Sequence, residues 1–509
     1  MTSSRPAQTD PELRRLALNV LQPGFVGTDA PDWVLRDIAD GLSSVVLFAR
    51  NISTPEQVAR LCARLRAENP ELIIAIDEEA GDVTRLESWT GSTRPGNFAL
   101  GTVDDLELTE SVARDIGREL HAAGVSLDYA PSADVNSNPR NPVIGVRSFG
   151  ASPDLVARHT AAWIRGLASA GVAACAKHFP GHGDTAVDSH HGLPSYNATV
   201  EEICDTALPP FRAALAAGVH AVMTGHLLVP AYDKDRPATM SPEILNGLLR
   251  AELGFDGLIV TDAIEMGAVT DRYGIDGATV RAVAAGADAV CVGGERGDEA
   301  TAELLVGALV DAASTGRLPE GRLREAAERV HEFATWSADL GKTVPRDVIR
   351  GDIGFLAARR AIRLSGPAVH TLPITDAPHV VELSPTTNLA IGKETPWGVA
   401  APLRERMPGT TSVRLDADRL AAGSHVLDEL ALKPAVNRPF VVVVRDASRH
   451  EWMHAALTQL VNARPDAIVV EMGLPGEETP GAVHIVTHGA TTASGVAAAE
   501  AVISRRPGA

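Results

Sequence analysis

The sequence predicts an α/β protein in two parts, a TIM-like (β/α)8 barrel followed by a smaller α/β domain. Three observations carry that expectation. First, helix-like segments ending in Ala-Gly are followed at once by short apolar runs: Ala123-Gly124-Val125, Ala170-Gly171-Val172, Ala217-Gly218-Val219 and Ala285-Gly286-Ala287, with the first three glycines at 47-residue intervals. Glycine just past a helix lets the chain turn through the left-handed region and re-enter a sheet, so the repeat reads as successive βα units on a parallel sheet. Second, eight strand candidates precede residue 295, as a closed barrel requires. Third, 45% of the 509 residues are hydrophobic but only 4% are aromatic, so burial rests on Ala, Val, Leu and Ile. That composition suits helices and buried parallel strands better than an aromatic-rich β-sandwich.

In chain order the strands are expected at Leu21 to Val26, Ser44 to Phe48, Leu72 to Ile76, Val125 to Ala130, Val172 to Ala176, Ala221 to Thr224, Gly257 to Thr261 and Ala287 to Val292. A doubly wound open sheet is the alternative, but its Gly-rich fingerprint is missing after the first strand, where Gln22-Pro-Gly-Phe-Val-Gly27 stands. The barrel is assigned to residues 1–340 and a linker to 341–352, which includes Gly341-Lys-Thr-Val-Pro-Arg-Asp347. The second domain, 353–509, offers strands at Val380 to Leu383, Phe440 to Val444, Ala467 to Val470 and His484 to Val486, with a helical stretch at Glu451 to Ala463. It contains no comparable cluster of catalytic residue types.

Charge narrows the partners. Asp plus Glu number 65 against 46 Lys plus Arg, a net charge of −19 with no local basic stripe, so nucleic acid and anionic membranes make poor partners. The N-terminus has no apolar signal-like region and no run approaches the ~18 uncharged apolar residues of a membrane span, so a cytoplasmic protein is expected. Cys62, Cys175, Cys204 and Cys291 are scattered without a Cys-x-x-Cys spacing, as small buried hydrophobes in a reducing compartment would be.

The chemistry concentrates after the fifth strand, in Lys177-His178-Phe-Pro-Gly-His182-Gly-Asp184 and on through Asp188-Ser189-His190-His191. A core strand that opens into a loop dense with titratable groups is where α/β enzymes hold their reacting residues. In Asp188-Ser-His190 the carboxylate can take the Nδ1 proton of the imidazole and fix its tautomer, leaving the other nitrogen to exchange a proton with a substrate. The competing reading of such a triplet, taken alone, is a solvated surface loop. Asp262 ends the apolar strand Gly257-Leu-Ile-Val-Thr; it either caps the following helix or acts as a nucleophile or electrostatic stabiliser. Asp77 likewise terminates a buried run. His178, His182, His190, His191, His220 and His226 invite a metal reading, yet neither His-x-His on the first strand nor a helical His-Glu-x-x-His is present, and no metal or other cofactor is expected.

These stretches together resemble family 3 glycoside hydrolases, within them the β-N-acetylglucosaminidases (β-N-acetylhexosaminidases). K-H-F-P-G-H-G-D-T at 177–185 with D-S-H at 188–190 is similar to that subgroup's signature. Asp77 to Leu86, A-P-S-A-D-V-N at 130–136, R-S-F at 147–149, M-T-G-H at 223–226, P-A-T-M-S at 237–241 and L-G-F-D-G-L-I-V-T-D-A at 253–263 follow in the family's order. The tail resembles, more loosely, the α/β-sandwich domain of longer members. The resemblance implies a retaining exo-glycosidase with Asp262 as nucleophile and His190 with Asp188 as acid/base dyad. Asp77, Arg85, Arg147, Lys177 and His178 match residues that hold N-acetylglucosamine. Ala80 and Asp82 stand where the pattern has glycine and arginine. The implied partner is a small oligosaccharide or glycoside, bound by a monomer or weak homodimer. Phosphorolysis of the same glycosides, β-glucosidase activity, and a catalytically silent sugar-binding protein are the rival readings.

Overall fold

The computed structural model describes residues 10–189, 192–344, 351–386, 391–392, 395–423 and 425–504. Sixteen strands are found among them. The first ten are β1 (Leu21–Pro23), β2 (Ser44–Leu47), β3 (Ile73–Ile76), β4 (Leu127–Asp128), β5 (Ala173–Phe179), β6 (Ala221–Thr224), β7 (Leu228–Val229), β8 (Asp233–Pro237), β9 (Leu258–Thr261) and β10 (Val290–Val292). β2, β3, β4, β5, β6 and β9 form one parallel sheet in that order, and β1 pairs in parallel with β10. The bridge Val260↔Ala289 joins β9 to the β10 segment, and Ser44 Oγ donates to Leu21 O (3.0 Å) between β2 and β1. The eight expected strands therefore follow one another in a TIM-like arrangement. β7 and β8 form a separate hairpin.

Alternation explains the interior. In a strand successive side chains point to opposite faces, and Ala75, Leu127, Cys175, Met223, Val260 and Cys291 meet in one buried cluster, joined by Phe333 of the helix Glu320–Lys342. Cys175 thus packs in the core, as its apolar surroundings in sequence suggest. Burial pushes its thiol above the ordinary range, so the thiolate that a nucleophile needs is disfavoured. Gly124, Gly171 and Gly218 adopt φ of +86°, +81° and +79°, the left-handed turn expected at the helix-to-strand junctions.

The chain divides into two compact units, 1–78, 109–144 and 151–350 in the first, 79–108, 145–150 and 351–509 in the second. Segments 79–108 and 145–150, excursions from the barrel part of the sequence, thus group with the C-terminal residues. The second unit carries β11 (Arg363–Ser365), β12 (His379–Leu383), β13 (Thr411–Leu415), β14 (Phe440–Val444), β15 (Ile468–Glu471) and β16 (Val483–Val486). Their order is β11-β16-β15-β14-β12-β13, parallel except for β11. One core lies on each face: Val441, Val443 and Ile485 with the helix Thr492–Ile503 on one, Val442, Val444 and Val469 with the helix Glu451–Ala463 on the other. This is a doubly wound α/β sandwich. Among the described residues no helix is long and apolar enough to cross a membrane.

Candidate active site

The first unit gathers chemistry at the carboxyl ends of adjacent barrel strands, where TIM-type enzymes carry their sites. β5 runs on to Phe179, so Lys177 and His178 belong to the strand and not to the loop beyond it. Lys177 is buried and its Nζ donates to Asp77 Oδ1, which follows β3; the pair therefore spans the end of β4 between them. A buried ammonium needs such a partner, because an unpaired charge in the interior is costly.

Asp134, in the A-P-S-A-D-V-N stretch, is the hub that sequence reasoning missed as a site residue. It is fully buried and accepts from His178 N (3.2 Å), His182 N (2.7 Å) and Ser132 Oγ (2.9 Å), and its Oδ2 lies 2.7 Å from His178 Nδ1. Burial pushes its carboxyl up, but the attraction and hydrogen bond of His178, with His182 adding to them, hold it below the ordinary carboxylate range. An ionised Asp134 accepts a hydrogen bond from the Nδ1–H of His178 and so orients the ring.

His182 serves the loop. Its Nδ1 lies 2.7 Å from Thr185 Oγ1 and its Nε2 3.3 Å from Ser189 Oγ. Burial, with the neighbouring His178, drives it down to about 4, so it is a neutral anchor at neutral pH and is unsuited to be a proton donor there. Ser189 O in turn accepts from Ala268 N (3.2 Å), which brings the half-buried Asp188 and its neighbour to the segment that follows β9. His190 and His191 lie outside the described residues.

Asp262 follows β9 directly and is half-buried. Its N–H donates to Thr224 O (3.1 Å) and its Oδ1 accepts from Ala263 N (2.8 Å). His226 supports it from below: Nε2 lies 3.1 Å from Ala263 O, and Nδ1 lies 2.8 Å from Thr239 Oγ1, which itself donates to Gly225 O. The M-T-G-H and P-A-T-M-S motifs thus form one brace for the Asp262 backbone. Among the described residues no group of three His, Cys, Asp or Glu could hold a metal ion.

Asp128 ends β4 completely buried. Its Oδ1 accepts from Glu78 N (3.0 Å), while Oδ2 has no hydrogen-bond partner. Burial drives its carboxyl well above the ordinary range, which favours the neutral acid. An acid with a raised folded pKa loses stability as pH rises past its unfolded value of about 3.9, because only the unfolded chain ionises. Asp128→Asn keeps the Oδ1 acceptor and removes that penalty. The variant is expected to be at least as stable as the wild type in urea unfolding at pH 7, with the gain shrinking toward pH 4; a loss above about 1 kcal/mol would mean an ionised Asp128.

The second unit carries the remaining sequence-assigned residues. Arg147 is buried and grips Glu79 with two parallel bonds, Nε to Oε2 (2.9 Å) and a terminal nitrogen to Oε1 (2.6 Å). Arg85 is also buried. The two departures from the resembled pattern acquire physical sense. Ala80 has φ +59°, a left-handed conformation that glycine adopts freely and alanine at a cost of roughly 1 kcal/mol. Asp82 is buried against Arg445 (2.6 Å) and accepts from Ala490 N (2.7 Å), so an acid at 82 has its own buried cation in this chain.

A family model described as the glycosyl hydrolase family 3 N terminal domain matches residues 30–333. The β-hexosaminidase A of Pseudoalteromonas piscicida is 35% identical over 319 residues, 58% of this chain and 53% of that protein, so the match spans about half of that relative's length. A β-hexosaminidase of Pseudomonas aeruginosa (strain LESB58) is 38% identical over 272 residues, 53% of this chain and 79% of that one. Among solved structures, a glycoside hydrolase family 3 β-N-acetylglucosaminidase from Paenibacillus sp. str. FPU-7 is 31% identical with a TM-score of 0.82, and the match covers 96% of each chain. With well over half of its length matched by the family model, this chain belongs to glycosyl hydrolase family 3.

Proposed function

We propose that the chain is a retaining exo-glycosidase that hydrolyses terminal non-reducing β-linked N-acetylglucosamine (β-N-acetylhexosaminides) through a covalent glycosyl-enzyme on Asp262. What carries the reading is the setting of Asp262: a half-buried carboxylate at a strand end, its backbone braced by His226 and Thr224, with the Asp188-Ser189 segment hydrogen-bonded to Ala268 a few residues on. Asp262 attacks the anomeric carbon while His190, oriented by Asp188, protonates the departing oxygen. Water, deprotonated by the same imidazole, then releases the sugar. Retaining enzymes commonly use a second carboxyl roughly 5–5.5 Å from the nucleophile; an imidazole with an ordinary pKa near 6.5 does both proton transfers close to neutral pH. Asp77, Arg85, Arg147, Lys177 and His178 are assigned to hold the N-acetylglucosamine, and the chain is assigned to act as a monomer or weak homodimer. Four free cysteines support a reducing, cytoplasmic setting.

The leaving group tests the dyad. His190→Ala is expected to slow alkyl glycosides far more than nitrophenyl ones, because a nitrophenolate departs with little protonation. Activated substrates should then show a burst followed by a slow steady state that azide accelerates. Equal losses for both substrate types, without burst or azide rescue, would remove His190 from the role. The same assay in phosphate buffer separates hydrolysis, expected to yield free sugar, from phosphorolysis, which would yield sugar 1-phosphate.

A further inference from the structure

The second unit holds a cleft of about 520 Å³ that the catalytic reading does not use. Connectivity creates it. β14 passes to β15 through the helix Glu451–Ala463, whereas residues 472–482 join β15 to β16 without a helix. Val483 and Ile485 of β16 enter one core, so His484 between them faces the other side, beside the helix flank. Glu451, His454, Thr458 and Val461 lie on that flank at helical spacing, and the helix rises roughly 15 Å between Glu451 and Val461.

The lining combines an apolar floor with an unbalanced acidic rim. Val444, Leu457 and Val461 provide the floor. Glu451, Glu477 and Glu478 are exposed carboxylates around it, and no Lys or Arg is among the lining residues. At the strand end, buried Glu471 accepts from Asp446 N (2.8 Å), Ala447 N (3.1 Å) and Gly473 N (2.7 Å), which fixes the mouth of the cleft. His484 is 3% exposed and its Nδ1 is buried with no hydrogen-bond partner. Burial lowers its basicity, so the ring is neutral and retains an acceptor nitrogen. No Phe, Tyr or Trp lines the cleft, so a sugar ring has nothing to stack on.

We propose that this cleft binds a linear aliphatic polyamine, with its methylene segments along Leu457 and Val461 and its ammonium groups among Glu451, Glu477, Glu478 and His484. Such a ligand supplies several positive charges, a flexible apolar chain and N–H donors over the length of the flank. The inference does not depend on the glycosidase reading.

The chain's net charge of −19 attracts any polycation, so the test must separate the cleft from the surface at large. Spermidine is titrated calorimetrically into the full-length protein at about 0.15 M salt, where exposed charges beyond ~8 Å are screened. Saturable binding of one equivalent is expected, with none for 1,6-hexanediol, which has the chain but no charge. Thr458→Trp fills the exposed flank without changing charge and is expected to weaken binding about tenfold or more. The combined Glu451→Gln, Glu477→Gln, Glu478→Gln variant, confined to exposed positions, should do the same and stands in if the Trp variant misfolds. Non-saturating binding, no binding, or equal affinity in wild type and either folded variant overturns the proposal.

Discussion

Asp262→Ala is expected to lower turnover of an aryl N-acetyl-β-glucosaminide by several orders of magnitude while leaving the unfolding midpoint within experimental reach of the wild type. The two halves of that expectation have separate causes. The carboxylate is half-buried at the end of a strand and outside the apolar cluster of the barrel interior, so truncation costs little packing. The covalent step proposed for Asp262, in contrast, is lost with its carboxylate. Azide supplied to the variant should enter the vacated face of the sugar and give the glycosyl azide of inverted configuration, the product of a single displacement. An Asp262→Ala protein with near wild-type turnover, or one that azide converts with retention, would dismiss Asp262 as the nucleophile.

The second large effect is on stability. Asp134→Ala is expected to cost about 3–5 kcal/mol in urea unfolding at pH 7, because it strips a buried ionised partner from His178 and leaves the buried N–H groups of His178 and His182 without their acceptor. Catalysis should fall with it, since both histidines take their orientation from this carboxylate. The pH dependence has a definite sign. Asp134 is held below its ordinary range, so its stabilisation is complete above the unfolded value of about 3.9 and is lost as pH falls through the lower folded value. The gap between wild type and Asp134→Asn should therefore be widest near neutrality and narrow below about pH 4. A gap that stays constant through that range would mean that charge is not what Asp134 contributes.

Much of the scaffold is legible in sequence because its causes are local. A short apolar run after Ala-Gly re-enters the sheet, and seven of the eight barrel strands lie within the expected segments, though several are shorter: Val125 to Ala130 contracts to Leu127–Asp128. The edge strands Arg363–Ser365 and Thr411–Leu415 escape notice because they are short or largely exposed and lack the continuous apolar pattern of a buried strand. β5 runs past its apolar segment through Lys177 and His178, since partners from other elements, Asp77 and Asp134, compensate the polar side chains that would otherwise end a core strand.

By itself the sequence determined the class of fold, the places where apolar strands give way to polar loops, and the residues that carry the family's motifs. These depend on composition and on spacing along the chain. Tertiary structure alone decided which charges meet. Asp134 is 44 and 48 residues from His178 and His182, and Asp82 is 363 residues from Arg445, separations over which no periodicity in the chain carries information. It also decided that 79–108 groups with the C-terminal residues, and that His182 is a neutral anchor. Burial sets both, and burial belongs to the packed molecule: a carboxylate, an arginine or an imidazole reads the same in sequence whether water or protein surrounds it.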